Sequence, residues 1–83
     1  MLLSPDDELR DRDELVAFLR SLHHDFQQRG HKWENPTLDR FLEALASWAE
    51  ASDGWYRSFG KELPPEGNWT FFARALAAAT VYE

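Results

Sequence analysis

The sequence predicts an all-α fold: a compact bundle of three main helices, with a short helix or helical turn between the second and third. Three observations carry this expectation. Apolar residues recur at intervals of three and four, each such run follows a residue able to cap helix amides, and glycine or proline separates the runs. At 83 residues the chain is expected to be a single domain, residues 1–83, whose charged start at 1–10 is a mobile segment. A chain this short buries only about 60–65% of its unfolded surface. Its six Phe, four Trp and two Tyr therefore matter, because large rings close a small core with few residues.

The first main helix is predicted over residues 11–28. Asp11 can accept from first-turn amides, and Glu14 three residues later fits the returning partner of a capping box. Leu15, Phe18, Leu19, Leu22 and Phe26 form its apolar stripe. Gly30 is expected to end it in the left-handed conformation, and Ser4 with Pro5 can begin a short turn of helix ahead of it.

The linker "GHKWENP" leads to a second helix over residues 38–50, with Thr37 as cap and Pro36 disfavouring helical geometry at Asn35. Leu38, Phe41, Leu42, Leu45, Trp48 and Ala49 make a broad stripe. "SDGWYRSF" then reads either as a distorted extension of that helix or as a separate short one capped by Ser52 or Asp53. Gly60, Pro64, Pro65 and Gly67 enforce a break, and Asn68 caps the last helix. There Trp69, Phe72, Ala73 and Leu76 share one face, while Phe71, Ala75, Ala78 and Tyr82 define another. Two stripes on one helix predict a central element covered by both earlier helices, with Phe72 and Leu76 inside.

Fifteen acidic against nine basic residues give a net charge of −6. The field opposes binding to a nucleic-acid backbone, so no nucleic acid is expected as partner. No cysteine is present, which removes thiol chemistry, disulfides and thiolate metal sites. The start lacks the apolar centre of a signal peptide, and no run of 18 apolar residues could span a bilayer. A cytoplasmic protein without a membrane partner is the expectation.

Chemistry finds little support. His23 and His24 are neighbours on a helix and point about 100° apart, and no metal-binding spacing accompanies them or His31. The carboxylates gather near helix starts, where they complement exposed amides. Neither a nucleophile turn nor a phosphate-cradling glycine pattern occurs. No catalytic, metal or cofactor-binding residue is assigned, and no cofactor is expected.

The better signal lies in the aromatic connections. Trp33, Asp53, Trp55, Tyr56 and Arg57 are candidate protein-interaction residues, since rings beside charges supply both apolar contact and directed hydrogen bonds. A noncatalytic acidic interaction domain follows, with a basic protein as the expected partner if Asp13, Glu43, Glu50 and Asp53 converge on one surface. The alternatives are a small enzyme whose site assembles only in three dimensions, and a homodimeric structural protein paired through its last helix.

The stretches "WENPTLDRFLEALASWAE", "SDGWYRSFG" and "LPPEGNWTFFARALAAATVYE" together resemble a small bacterial family of uncharacterised acidic helical proteins. The shared pattern is a Trp-Asn linker at Trp33 and Asn35, an Asp-Gly-aromatic turn at Asp53, Gly54, Trp55 and Tyr56, and a helix ending in Val81, Tyr82 and Glu83. The resemblance covers residues 11–83 and implies no activity and no active-site residue.

Overall fold

Side-chain caps start the three long helices where the sequence places them. The computed structural model describes residues 3–82. Helix α1 (Arg12–Arg29) begins at Asp11, whose Oδ1 accepts from the Glu14 amide at 2.9 Å. Glu14 does not return to the Asp11 amide as a capping box would. Its Oε1 accepts from the Arg10 amide at 2.7 Å and its Oε2 from the Arg10 guanidinium at 2.9 Å.

Helix α2 (Leu38–Glu50) starts at Thr37, and α4 (Trp69–Ala79) at Asn68, whose Oδ1 accepts from the Phe71 amide at 2.7 Å. Helix α3 (Ser52–Ser58) is a separate short helix after Ala51. Neither Ser52 nor Asp53 caps it: Ser52 is buried and donates its hydroxyl to the Ala49 carbonyl at 2.7 Å. Among the described residues there is no strand, so the fold is an all-α bundle.

The glycines end helices by two different physical routes. Gly60 has φ of 65°, and the Lys61 amide reaches back to the Tyr56 carbonyl at 2.8 Å, closing α3 in a left-handed cap. Gly30 corrects the expectation placed on it. Its φ is −56°, right-handed, and the chain runs on through a 3-10 turn, Gly30–Lys32. A side chain is excluded there by space: a Cβ would stand 2.5 Å from Cδ1 of Phe26.

Helix α4 lies between the others, packed against both α1 and α2, while α3 leans on α2. Residues 73–79 are all buried, with Ala73 and Ala79 fully enclosed. Alanine makes this possible, because a small side chain lets two neighbouring helices approach one axis closely. On one side Ala73, Leu76 and Ala77 meet Leu15, Phe18 and Leu22 of α1. On the other, Ala75 and Ala78 meet Trp48 of α2 and Tyr56 of α3. Leu45 touches both clusters.

The first turn of α4 departs from expectation. Leu76 is buried, but Phe72 is 46% exposed and Trp69 is 44% exposed. Phe72 shares a shallow hollow with Leu63, Pro64 and Pro65 of the preceding linker, which cover only part of its ring.

Residues 3–10 run across this same half of α4. Leu3 is buried in the α1–α4 cluster. The Thr70 hydroxyl accepts from the Leu9 amide at 2.8 Å and donates to the Leu9 carbonyl at 3.1 Å. Arg74 holds the segment a turn further along, donating to the carbonyls of Pro5 and Asp7 at 3.2 and 3.1 Å. Its guanidinium carbon sits 5.0 Å from the Trp55 ring centre and 5.4 Å from that of Tyr56, whose hydroxyl accepts a further bond at 3.2 Å. No carboxylate pairs with it among the described residues. Neutral oxygens and two ring faces replace most of the hydration that burial removes, while Nε is left buried without a partner. Arg74→Met keeps the stem between the rings but deletes the donors. Amide exchange at Asp7 and Leu9, the hydrogen-bonded amides of this stretch, is expected to rise at least tenfold while helix content stays unchanged, and unaltered exchange would refute the tether.

Candidate functional site

The linker between α1 and α2 is stitched to two helices, and this sets the shape of the adjoining surface. The Trp33 indole N–H donates to Asp25 of α1 at 2.8 Å. Two residues on, buried Asn35 serves α4: its side-chain amide donates to the carbonyls of Ala79 and Tyr82 at 3.0 and 2.7 Å, and its backbone amide to Thr80 at 3.2 Å. The Ala79 carbonyl is among those a helix end leaves without partners, and Thr80 and Tyr82 follow it just past the helix. The Trp-Asn pair therefore ties the end of α1 to the end of α4. Thr80 and Val81 turn away after the helix stops at Ala79, and Glu83 lies outside the described residues.

Opposite α4, the gap between α1 and α2 remains open as an apolar cleft of about 330 Å³. Leu19, Leu22 and Phe26 line it from α1, Leu38 and Phe41 from α2, and Trp33 closes one end. Trp33 meets Phe26 edge-on at 5.2 Å between ring centres and stacks on Phe41 at 6.0 Å. Leu38 is 73% exposed, Leu42 52% and Phe26 44%. The polar lining is His23, Asn35 and Thr37, with no carboxylate.

Two perturbations probe this wall. At a right-handed position such as Gly30, alanine ordinarily stabilises by reducing unfolded-state freedom. Here Gly30→Ala is expected to destabilise by about 1–3 kcal/mol, since Phe26 must swing off Trp33 to admit the methyl. A raised melting temperature would contradict the close approach.

The second perturbation is acid. The indole bond from Trp33, seconded by the Arg29 guanidinium at 3.3 Å, holds the Asp25 carboxyl below its ordinary range. A lowered folded value means a stabilising contribution that is complete above about pH 4, the unfolded aspartate range, and is lost as pH falls through the lowered value. Trp33 emission should change in that acid window and not between neutrality and about pH 5. In Asp25→Asn that acid-induced change should shrink.

The sequence-selected residues do not form one site. Trp33 belongs to the cleft, partly buried. Asp53, Trp55 and Arg57 lie together on α3, where Asp53 and Arg57 approach within 3.9 Å as an exposed pair of little energetic weight. Trp55 packs on Phe59 at 4.7 Å and is partly buried, whereas Tyr56 is 3% exposed and belongs to the core. His24 and His31 are exposed, and no cluster of three metal-ligating side chains occurs among the described residues.

Leu19, Phe26 and Leu38, which the sequence places in core stripes, are surface residues, while Phe41 is partly buried against the core. One signal was present: the α2 stripe of six apolar positions is wider than a single helix neighbour can cover.

These features define a small all-α bundle protein with an open apolar cleft on the side away from its central helix. Residues 11–83 match the model of a family of unknown function, DUF7660, and the chain belongs to that family. No curated protein and no solved structure matches it. No helix among the described residues is long and apolar enough to cross a membrane.

Proposed function

We propose that the chain is a noncatalytic protein-interaction module of a bacterial cytoplasm, and that the α1–α2 cleft is its binding surface. The observation that carries this reading is Leu38, 73% exposed beside Leu19, Phe26 and Phe41. Apolar groups gathered in one open surface stay hydrated at a cost that a docked protein removes. A lining of His23, Asn35 and Thr37, with Asn35 already engaged at the end of α4, offers no acid–base pair for catalysis. The lack of cysteine fits a reducing compartment, and the likeness to acidic bacterial proteins supports the source. The net charge of −6 favours a basic protein among unrelated partners, by speeding encounter.

A photo-crosslinking residue placed at Leu38 in the intact chain tests the reading in cells. A covalent adduct with a polypeptide is expected from Leu38 and not from Glu62 in the exposed linker. No adduct at Leu38, or equal labelling from both positions, would overturn it.

A further inference from the structure

We infer that the occupant of the cleft is a second copy of this chain, paired about a two-fold axis; the inference rests on the cleft being a protein-binding surface. The argument comes from the charges along its two walls. On α1, positions 12, 16, 20, 23 and 27 follow steps of three or four and form the stripe just outside the cleft-lining Leu19 and Phe26. They are Arg12, Val16, Arg20, His23 and Gln27, all exposed, so this wall carries positive charge, with exposed Asp13 the carboxylate at its outer margin. On α2 the corresponding stripe outside Leu38 and Leu42 is positions 39, 43, 46 and 50. These are Asp39, Glu43, Ala46 and Glu50, again all exposed; Glu43 turns toward a separate hollow that Arg40, Ser47 and Tyr82 line, so Asp39 and Glu50 are the acidic groups nearer the cleft.

Arg12, Arg20, Asp39, Glu43 and Glu50 make no ion pair among the described residues, whereas Arg10, Arg29 and Arg57 on the same helices or beside them are already paired within the chain. A surface with a basic wall, an apolar floor and an acidic wall is complementary to itself. Rotation by a half-turn lays α1 of each copy over α2 of the other, so that Arg12 and Arg20 oppose the second copy's Asp39 and Glu50. Between them Leu19, Phe26, Leu38 and Leu42 of both copies close a four-helix layer. A uniformly basic partner would match the acidic wall and be repelled by the basic one. Local charge thus selects differently from the net charge of −6.

The face is of the order of size a small dimer interface needs. A stable dimer buries roughly 800 Å² per partner. That is about one-seventh of this chain's 5854 Å². Two helices flanking the cleft, each about 10 Å wide and the shorter about 20 Å long, give a flat outline of about 400 Å², half of that figure before side-chain relief and the width of the cleft are added. The alternative pairing through α4 has no comparable free face, because residues 73–79 are buried inside the chain.

Sedimentation equilibrium of the full chain from low micromolar to millimolar concentration is the test. A monomer–dimer equilibrium is expected, with Leu38→Glu raising Kd by roughly 30-fold or more while helix content by circular dichroism is unchanged. Two charge variants sharpen it. Arg12→Glu/Arg20→Glu makes both walls acidic and Asp39→Lys/Glu50→Lys makes both basic. Each alone should be monomeric, and their mixture should form a one-to-one heterodimer. A chain that stays monomeric throughout, a Leu38→Glu variant that dimerises as the parent does, or a mixture that fails to pair would overturn the inference. If the chain is monomeric yet Leu38 still crosslinks to another protein, only the identity of the occupant is wrong; if it crosslinks to nothing, the cleft reading falls as well.

Discussion

Ending the chain at Gly67 is expected to abolish cooperative unfolding altogether. A chain of 83 residues has a net stability of about 4–12 kcal/mol at the usual 0.05–0.15 kcal/mol per residue. Losing α4 uncovers Leu15, Phe18 and Leu22 on one side and Trp48 and Tyr56 on the other. Each such side chain owes about 1.5–3 kcal/mol to burial, so the five together, about 8–15 kcal/mol, match or exceed that margin. The loss also strips Asn35 of the three carbonyls it serves and frees the leading segment from Thr70 and Arg74. Urea titration followed by circular dichroism should show a gradual slope in place of a sigmoid. A retained sigmoid with the parent midpoint would mean that α1 and α2 pack without the helix between them.

Trp48→Ala is the point substitution expected to cost most, about 3–5 kcal/mol. The indole is 6% exposed and stands 6.2 Å from Trp55 and 6.0 Å from Phe71 between ring centres, so its removal leaves a void bounded by three elements. At about 4–8 °C per kcal/mol for a domain of this size, the melting temperature should fall by more than about 10 °C. Trp69→Ala serves as the internal comparison. Its ring is 44% exposed, and less than half the loss is expected. Equal losses at the two positions would show that the partition between core and surface tryptophans is wrong.

Much of the bundle was legible because capping is local chemistry. Asp11, Thr37 and Asn68 each lie within three residues of the amide they accept from, so the chain itself announces where a helix begins. Helix ends were less legible. Gly30 and Gly60 are the same residue type, yet one relieves a clash with Phe26 and the other supplies a positive φ. A sequence does not distinguish these causes, since the first depends on where a ring four residues earlier is pointed by its neighbours.

The candidate surface was legible only in part. Trp33 lines the cleft, whereas the rings of α3 belong to a different cluster, so the two aromatic connections do not form one surface. Tyr56 was offered as an anchor and is a core residue that accepts from Arg74. That correction follows from Arg74 itself. A buried guanidinium without a carboxylate must draw oxygens and ring faces around it, and Tyr56 supplies both.

The sequence by itself determined the helical class, the three capped starts, the break between α2 and α4, and the alanine-rich helix as the middle of the bundle. Each follows from periodicity or from contacts spanning at most four residues. The tertiary structure alone decided which half of each apolar stripe is covered. It also decided that Asn35 closes a helix 44 positions away. The physical reason is that α4 can cover only one side of the α1–α2 pair, so residues equally apolar in sequence divide into core and surface by their side of a helix axis.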